Sequence, residues 1–198
     1  MGAGVTVTPT QRRHARLREE ALDAAWRLAA RDGIAGVSLR EVAAEVGLRP
    51  PSLYTYFPSK AAIYDAMFVQ GYAQFDAAYT QFEVAPADPL RSLTRSIETF
   101  LDFAVASPAR FQLLFTHAVP GWAPSEEAYT AARNSYANMV EHLRGLGITD
   151  TADHDLLTAL TTGLASQQLA NEPGGDRWRR LARDAAAMFL AHHRRSRG

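Results

Sequence analysis

The 198-residue sequence contains no cysteine, so neither disulfide bonds nor thiolate metal sites can stabilise its fold. No apolar run approaches the roughly 18 residues that a membrane span requires, and the first residues lack the apolar stretch of a signal peptide. The motifs of zinc proteases, serine hydrolases and phosphate-binding loops are also missing. We therefore expect a cytoplasmic protein with no membrane association, no cofactor, no metal and no enzymatic activity.

An excess of charge of either sign is missing as well. Basic and acidic side chains number 21 each, which argues against a partner bound through its phosphates. The distribution is uneven, because residues 1–60 carry nine basic and six acidic side chains while residues 61–198 carry 12 and 15. A positive first part and a negative remainder are expected of a protein that touches DNA at one end only.

Apolar residues recur at helical spacing along most of the chain, and no segment shows the period-two alternation of a β-strand. The pattern predicts an all-α fold of about nine helices. Short helices are expected at residues 12–32, 39–47 and 50–56, the second with Ser38 and Glu41 as a capping box. Ser59 then caps a long helix with an aromatic stripe that reaches Phe82, and the last helix is expected at residues 175–193.

The second and third predicted helices are joined by a tight turn at Gly47, as in a helix-turn-helix. The third helix would enter the major groove of DNA. Helix pairs of this kind also occur as plain packing units, so their spacing only favours DNA binding.

A resemblance to the DNA-binding domain of the TetR family of repressors is carried by residues 33–48, GIAGVSLREVAAEVGL, and residues 52–60, SLYTYFPSK. The similar region extends over residues 12–83, and residues 162–178 resemble C-terminal domains of one branch of the family. Gly, Thr and Pro without periodicity near the N-terminus predict a disordered arm at residues 1–11. The resemblance implies a helix-turn-helix DNA-binding domain at 12–58 and a helical ligand-binding and dimerisation domain at 59–198.

The resemblance also implies that Tyr54 and Lys60, the only lysine of the chain, hold phosphates. Arg40, Arg49 and the outward face of the third helix would read bases. Many relatives have serine where Arg49 stands, so the operator sequence cannot be transferred from them. The alternative for Tyr54 and Tyr56 is a half-buried aromatic pair that braces the domain. The DNA-binding candidates are Ser38, Arg40, Arg49, Pro50, Pro51, Ser52, Tyr54, Thr55, Tyr56 and Lys60.

Large aromatic residues and polar tips are concentrated in the middle helices, which suits a pocket for a hydrophobic small molecule. A helical aromatic stripe taken alone is more often part of an ordinary core. The ligand-binding candidates are Phe68, Phe100, Phe103, Phe111, Phe115, His117, Trp122 and Tyr136.

The last two long helices carry apolar and small residues that would pair with a second copy into a four-helix bundle, so that the homodimer binds a palindromic operator. The interface candidates are Leu156, Leu160, Gly163, Leu164, Gln167, Trp178, Leu181, Ala185, Met188 and Phe189.

The sequence favours a repressor that leaves its double-stranded DNA operator when a hydrophobic effector binds, each ligand weakening the other. Two alternatives stay open, an all-α enzyme and a helical interaction module that does not bind DNA.

Overall fold

The computed structural model describes residues 8–80 and 85–195, and the secondary structure of these residues is entirely helical. Short 3₁₀ helices occur at Ile34–Gly36 and Arg179–Leu181. Within the described ranges, no helix is both long and apolar enough to cross a membrane. The all-α prediction is confirmed, and in those ranges the α-helices are α1 (Pro9–Asp32), α2 (Leu39–Glu45), α3 (Pro50–Leu53), α4 (Lys60–Tyr79), α5 (Pro89–Ala106), α6 (Pro108–Phe115), α7 (Glu126–Gly145), α8 (Thr151–Asn171) and α9 (Ala182–Arg195).

The start of α1 corrects the prediction of a disordered arm over residues 1–11. The backbone N–H of Gln11 donates to Thr8 Oγ1 (3.2 Å), and the backbone N–H of Thr8 donates to Gln11 Oε1 (2.8 Å). This capping box, with Pro9 at the first helical position, starts the helix three residues before Arg12. Residues 1–7 of the predicted arm lie outside the described residues.

Two predicted details of the next helices are wrong. Ser38 precedes α2 but makes no capping hydrogen bond with its side chain. The third helix ends at Leu53 and not near Tyr56, because residues 54–56 continue as tight turns in which the backbone N–H groups of Tyr56 and Phe57 both donate to the Leu53 carbonyl (2.9 and 3.0 Å).

The long helix α4 begins after Ser59, whose hydroxyl accepts from the backbone N–H of Ala62 (3.1 Å) as predicted. It ends at Tyr79, and Phe82 of the predicted stripe lies outside the described residues. The last helix begins later than predicted. The buried Gln168 organises the preceding segment, since its Oε1 accepts from the backbone N–H of Trp178 (3.0 Å) and its Nε2 donates to the Gly175 carbonyl (3.0 Å).

The buried apolar residues form two clusters. The first unites α1–α3, which we call the head, with the first half of α4 and with α6. The second lies among α5, α8 and α9 and includes Phe111 of α6 and Leu143 of α7. Phe75 of α4 and Phe115 of α6 pack against both clusters, with ring centroids 5.4 Å apart. The head therefore shares its core with part of the body, which we define as α4–α9.

Candidate DNA-binding surface and ligand cavities

Two buried side chains, one aliphatic and one aromatic, anchor the third helix within the head. Leu53 and Phe57 are 1% and 0% exposed. Arg18 of α1 lies over the Phe57 ring (4.5 Å to the centroid) and donates to the Tyr56 carbonyl (2.8 Å). These contacts hold the turn that follows α3 against α1.

The turn between α2 and α3 depends on Gly47, whose φ of +68° lies in the left-handed region that favours glycine. Its backbone N–H donates to the Ala44 carbonyl (3.2 Å), and that of Leu48 donates to the Ala43 carbonyl (2.8 Å). Both bonds satisfy carbonyls at the end of α2. The turn therefore sets the angle between α2 and α3.

Most of the predicted DNA-binding residues share one exposed surface, which we call the α3 face. Tyr54 is 52% exposed, and the nearby Ser52 and Thr55 also face solvent. Their roles in DNA binding stay predictions. The α3 face comprises Arg49, Pro50, Pro51, Ser52, Tyr54 and Thr55, with Arg40 exposed on α2.

Tyr56 and Ser38 do not fit the outward-facing prediction. Tyr56 is half-buried, and its ring lies 4.5 Å from the ring of His14 in α1. The bracing alternative therefore describes Tyr56, whereas the exposed Tyr54 keeps its predicted orientation. Ser38 is also half-buried. The contact of Tyr56 with α1 accounts for its correction, and spacing along the third helix could not reveal it.

Lys60 lies at the edge of the head, at the first residue of α4. Its Nζ donates to the Ala35 carbonyl (3.1 Å) and lies 5.5 Å from the centroid of the Tyr64 ring. Tyr64 in turn donates to the Ile34 carbonyl (2.8 Å), and burial raises the pKa of its hydroxyl. An ammonium group has three donors, so the exposed Lys60 has donors left for a phosphate.

Two adjoining cavities lie inside the body. The first, the loop-side cavity, has a volume of about 660 Å³ and lies between α4, α6, α7 and the α6–α7 loop. The second, the α8-side cavity, has a volume of about 520 Å³ and lies between α4, α5, α7 and α8. Tyr72, Phe115, Ala132 and Tyr136 line both. These volumes are in the range of small-molecule sites.

The structure divides the predicted ligand residues into two groups. Phe68, Phe115, His117, Trp122 and Tyr136 line the loop-side cavity, and Phe100 lines the α8-side cavity with Phe115 and Tyr136. The prediction is wrong for Phe103 and Phe111. They are 6% and 3% exposed, pack within the two core clusters and line neither cavity.

His117 has an unusual backbone for a residue other than glycine, with φ of +49°. It is exposed, begins the loop after α6 and lines the loop-side cavity. Backbone strain of this kind is often found at binding sites. Nearby, Trp122 Nε1 and the backbone N–H of Ser125 both donate to Asp65 Oδ1 (3.2 and 3.3 Å), which ties the loop to α4.

Sequence reasoning missed Asp76, Ser96 and Ser135, three polar residues of the α8-side cavity. Ser135 of α7 donates to Asp76 Oδ1 of α4 (2.6 Å), and Ser96 of α5 is 3.3 Å from His142 Nε2. Tyr79 donates to the Ser96 carbonyl (3.0 Å). These pairs join different helices, so no spacing along the chain identifies them. The nearest signal was the position of Asp76 next to the aromatic stripe of α4.

Burial controls ionisation in this cavity. It raises the pKa of Tyr72 to about 12 and raises the pKa of Tyr79 further, so both phenols stay neutral. Burial also lowers the pKa of His142, which favours its neutral form. The phenols of Tyr72 and Tyr79 and the imidazole of His142 are therefore uncharged, and Asp76 is the acidic side chain of this lining.

The predicted interface residues differ in exposure. Leu156 and Leu181 are 42% and 39% exposed, Met188 is 60% exposed, and Gly163 and Gln167 also face solvent. Leu160, Leu164 and Trp178 are half-buried. Ala185 and Phe189 are corrected, because they are 6% and 2% exposed and belong to the core of the same protomer. Because α9 packs against α5, these two side chains lie on the inner side of α9.

Comparison with known protein families gives two matches on this chain. A model described as "Bacterial regulatory proteins, tetR family" matches residues 21–67, which include α2, α3 and the turn at Gly47. A model described as "Tetracyclin repressor-like, C-terminal domain" matches residues 93–193, half of the chain. The head and body together define a helix-turn-helix transcriptional regulator. The chain belongs to the TetR family, whose members bind DNA and regulate transcription and are not enzymes.

Among curated proteins, the HTH-type transcriptional regulator EthR of Mycolicibacterium smegmatis (strain ATCC 700084 / mc(2)155) is 37% identical over 116 residues. The match covers 54% of this chain and 52% of EthR, so the chain spans about half the length of this relative.

Solved structures share the fold over nearly the whole chain. A transcriptional regulator from Rhodococcus sp. Rha1 has a TM-score of 0.68 at 19% identity, covering 88% of this chain and 96% of that one. FadR from Bacillus subtilis, in complex with stearoyl-CoA, has a TM-score of 0.63 at 13% identity, covering 87% and 97%. The multidrug binding protein EbrR, complexed with imidazole, has a TM-score of 0.67 at 22% identity, covering 96% and 97%.

Proposed function

We propose that this regulator is a homodimeric repressor that leaves a palindromic operator when a hydrophobic small molecule occupies the body. The observation that carries the proposal is the position of α6, which contacts both the head and the loop-side cavity. Because one helix belongs to both, a ligand that moves α6 changes the support of the DNA-binding surface.

The contacts of α6 supply the physical path. Leu113 and Leu114 line the loop-side cavity and belong to the same buried cluster as Leu28 of α1 and Ile34 of the first 3₁₀ helix. On α4, Gly71 allows α6 to come close, because a Cβ placed there would lie 3.1 Å from Leu114 Cδ2. A core packed this tightly transmits a displacement instead of absorbing it.

The α3 face supports DNA binding by groove insertion. Arg49 can bond two acceptors of guanine, and the carbons of Pro50, Pro51 and Thr55 can contact a thymine methyl group. Tyr54 and Lys60 have hydrogen-bond donors for the phosphates of the DNA backbone. Ser38 and Tyr56 are left as supporting residues of the head, since both are half-buried.

The exposed apolar side formed by α8, the second 3₁₀ helix and α9 supports self-association. Leu156, Leu181 and Met188 would be covered by the same residues of a second copy in a two-fold four-helix bundle. Two heads related by that axis would address half-sites about 34–36 Å apart, one helical turn of DNA. An operator with two-fold symmetry follows.

The cavities and two structural relatives support an effector. FadR was crystallised with stearoyl-CoA and EbrR with imidazole, so proteins of this fold hold small molecules. In this chain the walls are mainly aromatic and aliphatic, which favours a largely hydrophobic ligand. Reciprocal weakening of DNA and ligand then follows from linkage.

A gel-shift titration on the DNA that flanks the coding region of this protein tests the proposal. We expect a two-fold symmetric site to bind the dimer and a panel of hydrophobic compounds to contain one that releases it. The variant Leu156→Glu should be monomeric in analytical ultracentrifugation and should bind the site weakly, with Glu127→Gln, on exposed α7, as a surface control. An operator affinity that no hydrophobic compound changes would contradict the effector, and tight binding by a monomer would contradict the dimer.

A further inference from the structure

We propose that the α8-side cavity selects a lipophilic cation, an apolar molecule with one protonated amine or a similar positive centre, and that Asp76 is its counter-ion. This inference rests on the proposed effector function and specifies the class of effector.

The lining of the α8-side cavity carries charge of one sign only. Among the described residues that line it, Asp76 is the only acidic side chain, and neither lysine nor arginine occurs among them. His142, the one imidazole of the lining, is held toward its neutral form because burial lowers its pKa. The cavity therefore presents a negative charge without a positive one.

Asp76 has capacity for a ligand. Its Oδ1 accepts one hydrogen bond, from Ser135 Oγ at 2.6 Å, whereas an ionised carboxylate can accept about four. In the described part of the chain no basic side chain forms an ion pair with it. A half-buried carboxylate without a counter-ion is unfavourable, so a cation that enters the cavity gains more there than in water.

The aromatic rings around Asp76 favour the same class of ligand. Tyr72, Phe75 and Tyr79 are at positions −4, −1 and +3 from Asp76 on α4, and all three line the cavity. The Phe75 centroid is 4.9 Å from that of Tyr79 and 5.8 Å from that of Phe100. The negative faces of such rings attract cations, and the effect is strongest where water is excluded.

The same features of the cavity disfavour an anionic amphiphile. Its charge would lie near Asp76 in this cavity, and the arginine nearest in the adjoining loop-side cavity, Arg133, already donates to Glu126 Oε1 (2.6 Å) and Thr130 Oγ1 (2.9 Å). We therefore expect the protein to discriminate by charge between molecules of equal length.

Three ten-carbon probes test this expectation, decylammonium, decanol and decanoate, each titrated calorimetrically into the full chain below its micelle concentration at neutral pH. We expect decylammonium to bind about tenfold or more tightly than decanoate, since a hydrogen bond to a charged group is worth about that factor. Decanol should lie between them.

The variant Asp76→Asn isolates the charge, because an asparagine oxygen can still accept from Ser135 and the fold should be kept, as checked by thermal unfolding. Decylammonium should lose about tenfold in affinity, while decanol should change less than about twofold. The matched control is Asp184→Asn, which removes a charge from the exposed surface of α9 and should leave all three affinities unchanged.

Equal binding of decanoate and decylammonium, no binding of any probe, or a loss of decanol affinity equal to that of decylammonium in Asp76→Asn would each overturn the proposal. Preferred binding of decanoate would overturn it in favour of an anionic effector. Operator binding by the ligand-free protein is measured separately by gel shift, so failure of the ligand class is distinguishable from failure of the repressor function.

Discussion

The head and the body of this regulator use aromatic residues differently. In the head, the buried anchors Leu53 and Phe57 are separate from the exposed residues of the α3 face. In the body, Tyr72 and Phe115 are part of the packing and line both cavities. Function at the surface and stability in the core can therefore change independently in the head, whereas a change at Tyr72 or Phe115 of the body affects both.

The largest expected effect tests whether the buried anchors of the head are separate from its exposed DNA-binding residues. Phe57→Ala removes a side chain that is 0% exposed, so it should cost about 3–5 kcal/mol of unfolding free energy. Thr55→Ala, two residues away and exposed, should change stability by less than about 0.5 kcal/mol and still weaken operator binding. Chemical denaturation and gel shift measure the two quantities. Equal destabilisation by both variants would abolish the distinction between anchors and reading surface.

Two phenylalanines of α6 test the body. Phe111→Ala should destabilise by about 3–5 kcal/mol without changing ligand selectivity, because Phe111 is buried and lines neither cavity. Phe115→Ala should cost less, about 1–3 kcal/mol, and should join the cavities more widely, since Phe115 is half-buried and lines both. Denaturation and calorimetry with larger hydrophobic probes separate the outcomes. A Phe111 variant with altered selectivity would contradict the assignment.

Substitutions at Arg49, on the α3 face, and at Lys60 should affect operator binding in different ways. Arg49→Ala should cost about 1–3 kcal/mol of operator affinity and relax sequence preference at one base pair. Lys60→Ala should weaken binding to every sequence and lower the slope of log affinity against log salt by about one. Competition gel shifts at several salt concentrations measure both. If Lys60→Ala changed sequence preference and Arg49→Ala did not, their proposed roles would have to be exchanged.

The smallest effect is expected at Tyr54. Tyr54→Phe removes one hydroxyl from a side chain that is 52% exposed, so operator affinity should fall by about 0.5–1.5 kcal/mol while the thermal midpoint stays unchanged. The matched change Tyr56→Phe should leave DNA affinity unaltered if Tyr56 only braces the head against His14. Equal losses of affinity in the two variants would return Tyr56 to the DNA-binding surface.

Sequence reasoning predicted local features better than contacts between helices. The turn at Gly47 and the cap at Ser59 depend on neighbours a few residues away, and both are confirmed. The bracing of Tyr56 by His14 and the pairing of Asp76 with Ser135 join residues 42 and 59 positions apart in the sequence. A periodic pattern predicts which face of a helix is apolar, but not which residue of another helix will meet it.

The late start of α9 illustrates the same limit within one segment. Helical spacing continued backward from Trp178, yet the amide of Gln168 binds the backbone around Gly175 and Trp178 and holds it out of the helix. A buried side chain of the preceding helix therefore decides where the last one begins. Similarly, the exposure of Met188 beside the buried Phe189 depends on which side of α9 meets α5.

Lys60 gives this protein an unusual chemical handle. As the only lysine, it carries the single ε-amine that an acylating reagent can modify in this chain, and it lies exposed at the first residue of α4. Bound DNA should shield that amine, and an effector that releases the operator should uncover it. The rate of acylation at one atom would then report occupancy of the operator directly, in a mixture and without a fluorescent label.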